Sequence, residues 1–163
     1  MTFRLVFVLV LLAHDRRRIR HVAVTMHPTA AWTAQQLREA LPWDEAPRYL
    51  IHDCDHAFAA LGTTAMGIED VGTAPHTPWQ NPFVERFVGS ARRVCFDHVI
   101  AFNEAGVRRL MTLYGSYYEQ SRTHLALDKD APIPRRVMPP GDGDIVAIPE
   151  AGGLHNRYER RAA

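Results

Sequence analysis

Two carboxylates and a set of arginines are the residues best suited to chemistry. Asp53 closes the short run 48–53 (RYLIHD). An acid at the end of a buried strand is a common place for a site in α/β folds, and a solvated turn aspartate gives the same pattern. Glu85 stands in the first turns of a helix opened by Asn81 and Pro82. The helix dipole favours a carboxylate there, and a surface residue that only steadies the helix fits equally. Gly89, Arg92 and Arg93 follow on the face of Glu85 at i+4, i+7 and i+8, while Val84, Val88, Ala91 and Cys95 are expected to face the core. One helix thus carries an acid near its start, a gap and a double arginine, an arrangement suited to a phosphate backbone.

Other clusters are less specific. In HDCDH (52–56), a strand would point His52, Cys54 and His56 one way and Asp53 and Asp55 the other. No fourth ligand stands at a zinc-site spacing, so zinc is not assigned. Arg16-Arg17-Arg18 and Arg135-Arg136 read as solvated turns able to add phosphate contacts. Trp79, in a proline-rich loop, reads as packed on the core, with contact to a base as the other reading.

Around these residues the chain has the size and composition of one ordinary soluble domain: 163 residues, 47% hydrophobic and 23% charged. A formal net charge of +1 argues neither for nor against nucleic acid, but only Lys129 among the 19 basic residues is lysine. Arginine is the side chain that grips phosphate bidentately. Two cysteines, Cys54 and Cys95, exclude a disulfide-dense secreted scaffold and suit reduced thiols in a cytoplasm. The apolar run 5–13 (LVFVLVLLA) is too short for a membrane span of about twenty residues. It leads straight into charged residues with no small-x-small cleavage site, so it reads as a strand buried on both faces, with a signal-peptide region as the alternative.

The elements that must position the acids then follow in order. A strand at 3–14 and a strand at 19–25 form a hairpin across the charged turn 15–18. A helix capped by Thr29 closes at Pro42 and Pro47, the strand 48–53 follows, and 56–66 reads as a weak helix. A strand at 68–73 and the loop APHTPWQNP lead to the Asn81 helix, expected to run to about residue 97. A last helix, 103–120, is capped by Asn103 and lines one face with Val107, Leu110, Met111, Tyr114 and Tyr118. The order implies a mixed sheet flanked by helices over 1–130, and 131–163 reads as an extended Pro/Gly-rich arm with one strand at 145–148.

The string TAPHTPWQNPFVERFVGSARR (73–93) resembles the segment around the catalytic glutamate of DDE transposases with a retroviral-integrase-like core, the enzymes of bacterial insertion sequences. YLIHDCDHAF (49–58) resembles their second-aspartate strand, in which an aromatic, here Phe58, follows the Asp by five residues. YYEQSRTHLALDKDAP (117–132) and RLVFVLVLLAHDRRRIRHVAVT (4–25) resemble the end of that core and its early hairpin. The resemblance spans about 3–137 and is most specific around Glu85. It implies a ribonuclease H-like fold in which three carboxylates hold two divalent metals, normally Mg2+, for in-line displacement at phosphorus. By this resemblance Asp53 is the second acid and Glu85 the third, both metal ligands and catalytic. Gln80, Asn81, Arg86, Arg92 and Arg93 fall on its DNA-binding side.

Three departures qualify what the resemblance implies. Its first strand, with its Asp, would precede Thr2. The 31 residues between Asp53 and Glu85 are fewer than such cores usually carry. Val94 stands where relatives often have a glutamate before the cysteine. The expectation is an integrase-type core incomplete at its N-terminus, inactive alone for want of the first acid. Its partners would be DNA (transposon ends and target) and a second copy or an intact transposase, in the cytoplasm and without a membrane. The alternative is a non-catalytic DNA-binding or subunit-pairing remnant.

Overall fold

The computed structural model describes residues 4–42 and 45–162. Its elements are β1 (Phe7–Leu12), β2 (Ile19–Thr25), α1 (Ala30–Ala40), β3 (Tyr49–His52), β4 (Glu69–Gly72), α2 (Pro82–Val94), α3 (Glu104–Gln120), β5 (Asp144–Glu150) and β6 (His155–Arg161). The fold is mixed α/β. Among the described residues the strands form three two-stranded sheets, β1–β2, β3–β4 and β5–β6, and not the single mixed sheet expected from their order. The chain divides into two compact units, one reaching Leu12 and resuming over Arg20–Val88, the other formed by Ala13–Ile19 with the chain from Gly89 on.

In the first unit, Thr29 caps α1 by accepting the Trp32 N–H at 3.1 Å, and Thr33, Ala34 and Leu37 are buried. Leu37 and Leu41 join Leu50, Leu61 and Ile68 in a core against which Leu11, Phe58 and Met66 pack. Leu50 lies in β3 and Ile68 directly precedes β4. The two strands run parallel, in register from Tyr49 with Glu69 to His52 with Gly72. Residues 56–66 are not one helix but two single 3-10 turns, His56–Phe58 and Thr63–Met66. Gly62, at φ +69, supplies the left-handed backbone that separates them.

β1 is shorter than the expected 3–14 and is not buried on both faces. Phe7 and Val8 are 38% and 36% exposed and the rest of the strand is half-buried. Its only strand partner among the described residues is β2, so its other edge has no strand partner there.

In the second unit, Asn103 caps α3 by accepting the Gly106 N–H at 2.8 Å, and Val107, Met111, Tyr114 and Tyr118 are buried. The turn 13–19 belongs to this unit and is built, not merely solvated. Arg16 and Arg17 both take left-handed backbone (φ 36 and 58), a conformation disfavoured for long side chains. Arg16 is held there by donating to Asp130 Oδ2 at 2.8 Å and to the carbonyls of Ala131 and Pro132 at 2.8 and 2.9 Å. The segment expected to be an arm with one strand is a regular antiparallel hairpin, from Asp144 opposite Arg161 to Glu150 opposite His155. Gly143 permits its open end: a Cβ there would lie 2.1 Å from the Arg161 carbonyl oxygen. The second strand, HNRYERR, lacks apolar alternation, which hid it in the sequence. Among the described residues no helix is long and apolar enough to cross a membrane.

Candidate active site and nucleic-acid face

Asp53 stands where β3 ends, at the C-terminal edge of a parallel strand pair. Leu50, 7% exposed, anchors the strand two residues before His52. The backbone at Asp53 is fixed from both sides. Its carbonyl accepts the Asp55 N–H at 2.9 Å and lies 3.0 Å from His52 Nδ1. The His52 ring stacks on Phe58 at 5.3 Å, so Phe58 serves to set the strand end. Asp55 caps the following turn through the Ala57 N–H at 2.8 Å. The side chains of Asp53, Cys54 and Asp55 are exposed.

Glu85 is exposed in the first turn of α2. The helix buries Phe87 (1% exposed), Ser90 and Ala91, and Cys95 is buried just beyond its end. Val88, expected in the core, is 50% exposed; the stripe runs through Phe87 instead, one position earlier. Glu85, Gly89 and Arg92 consequently lie opposite the buried stripe. Ser90 Oγ and the Tyr114 hydroxyl share a short buried hydrogen bond of 2.5 Å. Burial pushes the Tyr114 hydroxyl and the Cys95 thiol above their usual ranges, so Cys95 is an inert packing residue. The helix ends at Val94, and Phe96–His98 is a separate 3-10 turn in place of the expected continuation to 97.

The residues expected on DNA are placed differently from one another. Arg86, Arg92 and Arg93 are exposed. Arg92 Nε lies 3.5 Å from Asp97 in a solvated pair of the kind that contributes little. Arg93 lies over Gly89, where an added Cβ would be 3.3 Å from its Nη1, so the expected gap is covered by a guanidinium. Gln80 uses its side-chain oxygen within its own loop, accepting from the Ala74 N–H at 2.8 Å and the Thr77 hydroxyl at 3.0 Å. Asn81 is 6% exposed, and its carbonyl accepts the Glu85 N–H at 3.1 Å. Its position is that of a helix-start residue, with its surface removed from solvent. Trp79, expected on the core, is 69% exposed.

Asp53 and Glu85 belong to the same unit and offer hard carboxylate oxygens, the donor type magnesium takes. Among the described residues no three His, Cys, Asp or Glu side chains gather as a metal-holding group.

Residues 66–132 match the integrase core domain family. The match supports an integrase or transposase catalytic core. It contains Gln80, Asn81, Glu85, Arg86, Arg92 and Arg93, and Asp53 lies before it. No curated protein matches the chain.

Proposed function

We propose that this chain is part of a DNA transposase or integrase core in which Glu85 and Asp53 are two of the metal-ligating catalytic acids. The observation that carries the reading is the integrase-core match across the Glu85 helix and the loop before it. Exposed Arg86, Arg92 and Arg93 and the open face of Trp79 would meet DNA, with Gln80 and Asn81 shaping the loop and helix start behind them. Mg2+ is the metal that a carboxylate set of this kind would take. The chain is expected to bind duplex DNA through the exposed arginines of α2.

The test is binding of the purified chain to a labelled DNA duplex at several salt concentrations, with a parallel cleavage assay in Mg2+. Each phosphate contact contributes roughly −0.9 to the log–log salt slope on duplex DNA. Replacing Arg92 and Arg93 together with alanine should therefore flatten the slope by about 1.8. Salt-insensitive or absent binding would overturn the reading. Cleavage in Mg2+ that disappears in Glu85→Gln would establish the acid.

The half-exposed apolar strand β1 favours a second reading, a non-catalytic chain that pairs with another copy or an intact transposase. Concentration-dependent association abolished by polar substitution of Phe7 and Val8, together with no DNA binding, would decide for it.

A further inference from the structure

The second unit holds a groove of about 910 Å3 between the 128–138 segment and the β5–β6 hairpin. Five cationic side chains line it: Lys129, Arg135, Arg136, Arg157 and Arg160. Three acids line it too, but two of them are already matched. Asp130 is paired with Arg16 at 2.8 Å, and Glu159 with Arg157 at 2.8 Å. The backbone N–H groups of Ala131 and Arg135, with Arg16, hold the Asp130 carboxyl below the usual carboxylate range. Arg136 is paired with Asp142 at 3.2 Å, and Arg160 donates to the Gly143 carbonyl at 3.0 Å. Among the described residues no carboxylate lies in ion-pair reach of Lys129 or Arg135, so the groove keeps unmatched positive charge against the single remaining acid, Asp128.

Its lining is not only charged. Tyr158 is 63% exposed on β6, and Ile145 and Val137 are 63% and 88% exposed. An acidic peptide would need the cations alone. Cations beside an open aromatic ring and apolar side chains fit a chain of phosphates carrying flat, stackable bases.

We propose that this groove binds a single DNA strand, with phosphates on Lys129 and Arg135 and a base stacked on Tyr158. The proposal deepens the DNA reading but stands on separate residues, all in the second unit. An unpaired strand is preferred to duplex because a side-chain ring can stack on a base only where the base is released from its own helix.

The experiment measures anisotropy of a labelled twelve-nucleotide oligo-dT on the full chain, with a duplex of the same length and polyglutamate as competitors. At roughly −0.7 per phosphate contact on single strands, Lys129→Ala with Arg135→Ala should flatten the salt slope by about 1.4. Tyr158→Ala should weaken binding by about 5- to 150-fold, and Tyr158→Phe should retain it. These side chains are exposed, and an unchanged circular dichroism spectrum confirms the fold of each variant. Arg38→Ala, an exposed arginine on α1 placed at neither site, should leave oligo-dT binding intact. If oligo-dT binds through the groove and no duplex binding depends on Arg92 and Arg93, the core reading fails and the groove stands. Oligo-dT binding indifferent to all the groove variants, or polyglutamate displacing it with Tyr158→Ala neutral, overturns the proposal.

Discussion

The two candidate acids are held by opposite means. Glu85 rides on a thirteen-residue helix whose inner stripe, from Phe87 to Ala91, is almost wholly buried. Asp53 follows a four-residue strand with one buried residue, Leu50, and depends on hydrogen bonds and a ring stack to fix its backbone. The helix places its acid by packing at a distance, whereas the strand end places its acid by local contacts that water can compete for. Only the helix side lies within the integrase-core match. A long helix with a fixed apolar stripe leaves a stronger sequence imprint than four strand residues and a turn.

Removing the packing should have the largest effect. Phe87→Ala is expected to destabilise the chain by about 3–5 kcal/mol and Leu50→Ala by about 2–5 kcal/mol, read from denaturant midpoints. If hydrogen exchange after Leu50→Ala shows α2 as loosened as β3, the two acids are not separately supported and the comparison fails.

High pH should act next, and on one side only. Desolvation raises the Tyr114, Tyr117 and Tyr118 hydroxyls and the Cys95 thiol in the folded chain. A raised acid means stability fully present below the unfolded value, near 10 for tyrosine, and lost as pH climbs through the folded one. Stability should thus fall above about pH 9 to 10, because burial opposes ionisation of the Cys95 thiol and of these hydroxyls. Tyr114→Phe should make that fall shallower; an unchanged alkaline limb would count against the buried hydroxyl as its source. Asp130 has the opposite sign: its lowered carboxyl contributes stability above the unfolded value near 3.8, lost as pH drops through the folded one.

A smaller loss should follow His52→Ala, which removes the Phe58 stack at roughly 1 kcal/mol. Backbone exchange at 52–55 should rise while that of α2 stays unchanged. Smallest of all should be the acids themselves. Glu85→Gln gives up a helix-dipole contribution of about 0.3–1 kcal/mol, and Asp53→Asn should stay within about 0.5 kcal/mol. A larger loss in either variant would make that acid a structural residue and remove it from the catalytic set.

The local rules in the sequence carried far along this chain. Thr29 and Asn103 cap the helices whose starts they mark, and β2 occupies 19–25 as read. Caps, proline stops and short periodic runs act within one or two turns, so their physics is contained in neighbouring residues. Three features escaped. Val88 and Phe87 are adjacent apolar residues on α2, and which of them joins Ala91 and Cys95 in the core depends on what packs against the helix. The charged strand His155–Arg161 pairs because Gly143 lets the backbones approach, a relation across the hairpin that no run of residues displays. Arg16 looked like a solvated turn residue until Asp130, Ala131 and Pro132, more than a hundred residues away, supplied its partners.

By itself, then, the sequence determined the helix starts, the acid at the end of β3, the acid opening α2, and the resemblance that the integrase-core match supports. Tertiary structure alone decided that Asn81 is buried and Trp79 exposed, and that Lys129, Arg135 and Tyr158 line one groove. The physical reason is range. Capping and periodicity are settled by backbone hydrogen bonds a few residues apart, whereas exposure and the meeting of distant side chains follow from how whole elements close against one another.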